Sequence, residues 1–366
     1  QAISPKRLNN LRAPMTADAI ESFESWLQGR ESVLIDLQQA YYPLIFRFTV
    51  RLMGMCEWAS SPSELRKLQT AFWHTQRNSG FWTTLCPWLP QPRLIMRLKG
   101  AFTLWYMTRT AIAKRIKEGG REEDFAQNLI DEKMNIDKIS RWVIGALLAG
   151  TLNTIGTGAY TVAFLGASPE LRKQCREEVL STVRDSAEAR GDDFESLTPH
   201  EALSRISLDE WENKFTFLHL CFKESIRMLL TNSLLRYYPG PSKDSKGVEK
   251  ERLTIYGQPI EDDVYVTYSP ASNLHDAESF KSPFRFDPTR YSRGEGATDY
   301  TYIAWGAGHH KCPGIRFAKL ESIVAIASLI FYMDDFVTVD ERGIAYTLEN
   351  VPLPDLSQSH WRTPTR

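Results

Sequence analysis

Three features of the 366-residue chain predict a mainly α fold with a small β-rich annex. Apolar residues recur at helical spacing through residues 1–240. One long run, Trp142 to Ala167, carries no charge. Short alternating apolar runs appear only after Tyr238. With no internal repeat and no low-complexity segment, residues 1–366 read as a single domain.

The elements follow in order. Residues 17–54 show helical spacing interrupted near Gly29, and two amphipathic helices, Ser63–Gln76 and Arg93–Lys117, flank the Pro-rich turn CPWLPQP. Phe72, Trp73, Phe81, Trp82, Trp88, Phe102, Trp105 and Tyr106 gather there. Core packing of stacked helices accounts for them; the alternative is an apolar substrate entrance or a membrane-touching surface. The charge-free run belongs to a helix over about 136–167, long enough to cross a bilayer. Asn153 sits at its middle with Thr151, Thr154 and Thr157 close by, and glycines recur at 145, 150, 156 and 158. A helix buried in a large core, passing something polar at its midpoint, fits that pattern better than a membrane span. Ser168 caps the next helix, which Pro169 opens and which runs from Glu170 to Glu188. After a polar loop comes a helix over Trp211–Leu230. Residues 241–300 read as β-hairpins, turning at Gly257-Gln258, followed by an irregular meander. Residues 301–335 hold a Gly-rich loop and a helix, Pro313–Tyr332, and residues 336–366 a C-terminal β-hairpin.

The composition narrows the function classes. A net charge of −1 offers no basic excess for nucleic acid. Five widely spaced cysteines, an odd number, fit a reducing compartment better than a disulfide framework. The opening QAISPKRLNNLRAPM has neither a signal peptide nor an anchor.

Chemistry concentrates in YIAWGAGHHKCPGIRFAKLE. Cys312 follows a loop with Gly306 and Gly308 and precedes Pro313-Gly314 at the start of a helix. Glycines let the backbone turn tightly and approach a flat ligand. The N-terminus of a helix favours a thiolate, so Cys312 is placed to be an anionic ligand. His309, His310 and Cys312 also suggest zinc, but no second group of ligands stands at metal spacing.

The segment resembles the heme-binding signature of the cytochrome P-450 superfamily, F-x-x-G-x-[RH]-x-C-x-G followed by a small residue. Gly308, His310, Cys312, Gly314 and Ala318 fall in place, and Trp305 stands where the family has Phe. Further matches come in the family's order. Glu224-Ser225-Ile226-Arg227 resembles its E-x-x-R pair, and FDPTRY supplies Arg290 as the third partner. Arg236, nine residues after Arg227, resembles an arginine that neutralises a heme propionate, with His310 as a second contact. The charge-free helix is similar to the family's distal helix, whose pattern is [AG]-G-x-[DE]-T-[TS]. Here Ala149-Gly150-Thr151-Leu152-Asn153-Thr154 keeps the small pair, which leaves room for dioxygen and substrate. It carries Leu152 for the acid and Asn153 for the alcohol that helps deliver protons. Asparagine there resembles the branch with cholesterol 7α-hydroxylase, prostacyclin synthase and sterol 14-demethylase.

The resemblance implies a cytochrome P-450 fold lacking its N-terminal anchor, first sheet strands and early helices. It implies heme b (iron protoporphyrin IX) with Cys312 as axial metal ligand, and Trp305, Gly306, Gly308, His310, Gly314, Ala318, Arg236, Ala149 and Gly150 around the cofactor. Glu224, Arg227 and Arg290 then form the proximal scaffold, and Asn153 and Thr154 the catalytic oxygen pocket. The implied activity is monooxygenation of an apolar, lipid- or sterol-like substrate, with NADPH electrons arriving through NADPH-cytochrome P-450 reductase. The implied location is the cytosolic face of the endoplasmic reticulum membrane, through an anchor this chain does not carry. Alternatives are an isomerase or dehydratase acting on a peroxide, and an inactive remnant. A further expectation is that this chain alone binds heme weakly or not at all.

Overall fold

In a computed structural model, residues 3–77, 86, 88, 91–230, 233–241 and 251–353 are described. Phe81, Trp82 and the last part of the expected C-terminal hairpin (354–366) lie outside them. The helices are α1 Pro5–Leu27, α2 Leu37–Met53, α3 Cys56–Ser60, α4 Pro62–Arg77, α5 Pro92–Glu118, α6 Phe125–Asp131, α7 Ile136–Gly166, α8 Pro169–Glu188, α9 Pro199–Arg205, α10 Leu208–Asn213, α11 Thr216–Leu229, α12 Pro270–Leu274 and α13 Ile315–Tyr332. Strands β1 Leu234–Tyr238 and β4 Val264–Tyr268 pair antiparallel, as do the short β2 Thr254–Ile255 and β3 Gln258–Pro259.

The boundaries of α4, α5, α7, α8 and α13 fall within a residue or two of the expected ones, but α1 starts at Pro5 rather than near residue 17, α3, α6, α9 and α12 are short helices that the sequence did not announce, and of the expected C-terminal hairpin the described residues hold only the bridge between Val339 and Ala345. Two further differences have a clear physical cause. The helix expected over Trp211–Leu230 is two helices, α10 and α11, separated at Phe215, whose backbone (φ −81°, ψ 56°) leaves the helical region. Arg236 lies on a strand that the sequence did not announce, because the partner of β1 is the distant β4.

The long helix α7 is the spine of the molecule. Its first half contributes Ile139, Val143 and Leu147 to a core shared with α2 and α4–α6. Its second half, Ile155 to Leu165, enters a larger core built with α1, α2, α8–α11 and α13. By length and composition α7 could cross a membrane. From Thr154 to Gly166 it is buried on every side by protein, as expected of a core helix.

The threonines that interrupt its apolar run are satisfied locally. Thr151, Thr154, Thr157 and Thr161 donate to the carbonyls of Leu147, Gly150, Asn153 and Thr157, at 2.7–3.0 Å. Gly150 is small because α2 crosses there. A Cβ at that position would stand 2.8 Å from Thr49 Cγ2. The space its missing side chain leaves is filled by α2.

Candidate heme-thiolate site

Behind the cysteine loop stands a fully buried charge network. Glu224 on α11 accepts from Arg227 Nε and an Arg227 terminal nitrogen (both 2.9 Å), Arg290 Nε (2.9 Å), the Tyr291 hydroxyl (2.9 Å) and the Asp287 amide (3.2 Å). Arg227 spends its remaining donors on the carbonyls of Leu274 and Pro283 and lies over the Phe280 ring. Arg290 adds Glu295 and the carbonyls of Lys281 and Arg285. A buried ion pair tolerates desolvation only when its remaining donors and acceptors are met, and here they are. The network fastens α11 to the 281–295 meander, so a pair one helical turn apart and a distant arginine hold one framework. Sequence reading named Glu224, Arg227 and Arg290 but missed Tyr291 and Glu295; Tyr291 was legible as the final residue of FDPTRY.

The loop is tied to that framework. The Tyr302 hydroxyl donates to the Lys223 carbonyl (3.0 Å), and the Lys223 ammonium sits over the rings of Tyr291 and Tyr302 at 3.8 and 4.8 Å. Half-buried Trp305 packs against the larger core. Its carbonyl accepts the Cys312 amide at 2.8 Å, which closes the loop. Gly306 and Gly308 both adopt left-handed backbone (φ 75° and 67°), where a side chain would be strained.

α13 begins at Ile315, with Gly314 as its cap, two residues later than the expected start at Pro313. Cys312 therefore lies in the loop, ahead of Pro313 and the cap, rather than in the helix. Its side chain is half-exposed, outside the packed hydrocarbon that encloses Cys175 and Cys221. A Cβ on Gly314 would touch its sulfur at 3.8 Å. Ala318 lies in the first turn of α13, its amide bonded to the Gly314 carbonyl at 2.8 Å. Arg316 is clamped to Glu212 of α10 at 2.6 Å, fixing the mouth of the helix.

The other sequence-predicted residues are distributed as follows. Ala149, Leu152 and Asn153 line an exposed stripe of α7 that continues through Gly145 to Trp142. The stripe is apolar apart from Asn153. Thr154 faces the opposite way, buried in the core. Arg236 is exposed on β1 and donates to its neighbour's carbonyl, Leu235, at 2.9 Å. His310 is exposed on the short 3-10 turn Gly308–His310.

These residues fit a heme. The thiol is accessible, its loop is thinned by three glycines, and the donor is a single soft sulfur. No group of three or more His, Cys, Asp or Glu residues at metal spacing occurs among the described residues. An apolar cavity of about 340 Å³ lies elsewhere, between Trp26, Tyr160, Leu329 and Phe336. No residue named for the heme lines it.

One acidic residue at the site's edge escaped sequence reading. Glu321, on α13, is fully buried and forms no ion pair among the described residues. Its signal was available, since it is the only charged residue in the stretch LESIVAIASLIF.

A heme-thiolate protein is the class this loop, scaffold and mainly helical fold define. The cytochrome P-450 family model matches residues 107–333, from within α5 to just past the end of α13, and the chain belongs to that family. Among curated proteins it is 28% identical over 263 residues to a cytochrome P450 monooxygenase of Aspergillus novofumigatus, covering 70% of this chain and 48% of that protein. It is 24% identical over 342 residues to a cytochrome P450 monooxygenase of Aspergillus aculeatus, covering 90% and 64%. It is 26% identical over 261 residues to the lanosterol 14-alpha demethylase of Bos taurus, covering 69% and 46%. The chain thus spans between about half and two thirds of the length of these relatives.

Proposed function

We propose that this protein is a heme-thiolate monooxygenase that inserts one oxygen atom into an apolar substrate, with electrons supplied by a reductase. The observation that carries the reading is Cys312, half-exposed at the end of a glycine-thinned loop and braced from behind by the Glu224–Arg227–Arg290 network. When bound, heme supplies dioxygen activation, with thiolate donation favouring O–O cleavage. Cys312 would hold the metal, and Trp305 would shield the sulfur. Gly306, Gly308 and Gly314 would admit the porphyrin, and Arg236 and His310 would pair with its propionates. The α7 stripe from Trp142 to Asn153 orients an apolar substrate and excludes water, with Asn153 as its one polar group.

Similarity to proteins named as monooxygenases and as lanosterol 14-alpha demethylase supports a lipid- or sterol-like substrate. It also supports attachment to the endoplasmic reticulum, with NADPH-cytochrome P-450 reductase as electron donor. The absence of an acid from the α7 stripe favours a second reading, rearrangement of a substrate peroxide without reductase. Turnover of a lipid hydroperoxide in the absence of NADPH separates the two.

The deciding measurement is the reduced carbon-monoxide difference spectrum of the full-length protein. A thiolate-ligated heme gives a red-shifted Soret band, and Cys312→Ser abolishes it. A variant that kept the band would end this assignment.

A further inference from the structure

The cavity of about 340 Å³ between Trp26, Tyr160, Leu329 and Phe336 takes no part in the heme site. Its size falls within the range of about 300–1,000 Å³ usual for small-molecule sites. Its walls are mostly hydrocarbon, from residues such as Leu37, Val162, Ala163 and Met333, with the aromatic rings of Trp26, Tyr160 and Phe336 among them. Among the described residues only two charged ones line it, Glu31 and Asp335, and both are acids. Asp335 is matched by Arg172 at 2.6 Å. Glu31 is exposed at the mouth and has no ion pair among the described residues.

The backbone adds to that sign. α1 ends at Leu27, α7 at Gly166 and α13 at Tyr332, and the last turn of each contributes to the lining through Leu27, Ala163 and Leu329. A helix C-terminus carries partial negative charge on its free carbonyls. α2 opens here with its positive end, but Asp36 caps it by accepting the Gln39 amide at 2.9 Å. Two cations already answer this field from the rim. Arg172 donates to the carbonyls of Leu165 and Gly166 (3.3 and 3.2 Å), and its guanidinium lies 5.7 Å from the centre of the Phe336 ring. Arg176 donates to those of Ile330 and Met333 (2.9 and 2.6 Å). Hydrocarbon walls favour an apolar body, and aromatic faces favour a cation. We propose that this cavity is a binding site for an apolar organic cation, a protonated or quaternary amine. Its hydrocarbon body lies against Leu37, Val162 and Ala163, and its positive head pairs with Glu31. A carboxylate of the same length would meet two acids and three negative helix ends. The site uses none of the residues assigned to the heme.

The probe is decyltrimethylammonium, added below its critical micelle concentration to the heme-loaded, full-length protein. Its quaternary nitrogen has no lone pair and so cannot ligate iron. Equilibrium dialysis should show saturable binding, about tenfold or more tighter than that of decanoate. Decanoate has a chain of matching length, but its charge exchanges a favourable pairing for an unfavourable one. Glu31→Lys should weaken decyltrimethylammonium by about fivefold or more and narrow or reverse its lead over decanoate. Because Glu31 is exposed, this variant keeps the fold. Ala163→Leu fills the cavity from α7 and should abolish binding of the cation, with the melting temperature and the carbon-monoxide band reporting that the protein is folded. Should Ala163→Leu fail to fold, Glu31→Lys still decides. The inference is overturned by equal affinity for the two probes, by unchanged affinity in Glu31→Lys, by retained binding in folded Ala163→Leu, or by the lack of saturable binding in the wild type.

Discussion

Replacing Glu224 with Gln removes one negative charge from a site with no access to water. The carboxylate binds two guanidinium groups whose side chains are 0% and 1% exposed. After the substitution Arg290 still has Glu295, at 2.6 Å. Arg227 keeps two carbonyls and the Phe280 ring but no anion, so one buried positive charge is left unpaired. Breaking a buried pair in this way costs about 3–5 kcal/mol, against a total of about 5–15 kcal/mol for a typical domain. The folding equilibrium should therefore drop by roughly a hundredfold or more. Urea titration followed by tryptophan fluorescence measures this, with the midpoint falling and the slope unchanged. Glu212→Gln is the control, because its partner Arg316 is 40% exposed and such pairs are worth about 1 kcal/mol or less. If Glu224→Gln lost no more than Glu212→Gln, the buried network would not be what holds the meander to α11.

Three more expectations follow from particular contacts. Gly100→Ala places a Cβ 2.6 Å from the Ala71 carbonyl, where α5 crosses α4; the overpacking should cost about 1–3 kcal/mol, read as a lowered melting temperature. The Cys56 thiol is pushed up to about 12 by burial and then by Asp124, Glu122 and Glu57. It should resist iodoacetamide at neutral pH, checked by peptide mass spectrometry. Glu210, in the capping box of α10, is held down to about 2: burial opposes this, but the Ser207 hydroxyl and amide and the Arg190 guanidinium outweigh it. Because the unfolded carboxyl binds its proton first, the Glu210 contribution is complete above its ordinary value of 4.5 and is lost as pH falls toward 2. Glu210→Gln should flatten the stability profile in that window alone.

The sequence exposed the helices and the cysteine loop because their signals are local. The charge-free run marks α7 to within one residue at its C-terminal end, and the spacing of glycines around Cys312 needs no knowledge of neighbours. The pair Glu224 and Arg227, one helical turn apart, was legible as a buried couple from the apolar residues around it. Non-local features were harder to read. β1 depends on β4, and the break at Phe215 interrupts an apolar period that continues on both sides of it. Asn153 and Thr154 are adjacent in the motif, yet successive residues on a helix diverge by about 100°. One looks outward and the other into the core. The reason for Gly150 was also hidden, since Thr49 reaches it from another helix.

Because α7 belongs to two separate cores, its ends answer to different constraints. The half beyond Thr154 is hemmed in on every side, so almost any change of volume there would be felt throughout the larger core. The half before it is gripped along one flank only. Substitutions at Trp142, Gly145, Ala149 or Leu152 can reshape the outward surface while Ile139, Val143 and Leu147 keep their seats. The helix thus separates the positions free to diversify from those that must stay fixed, within one continuous rod.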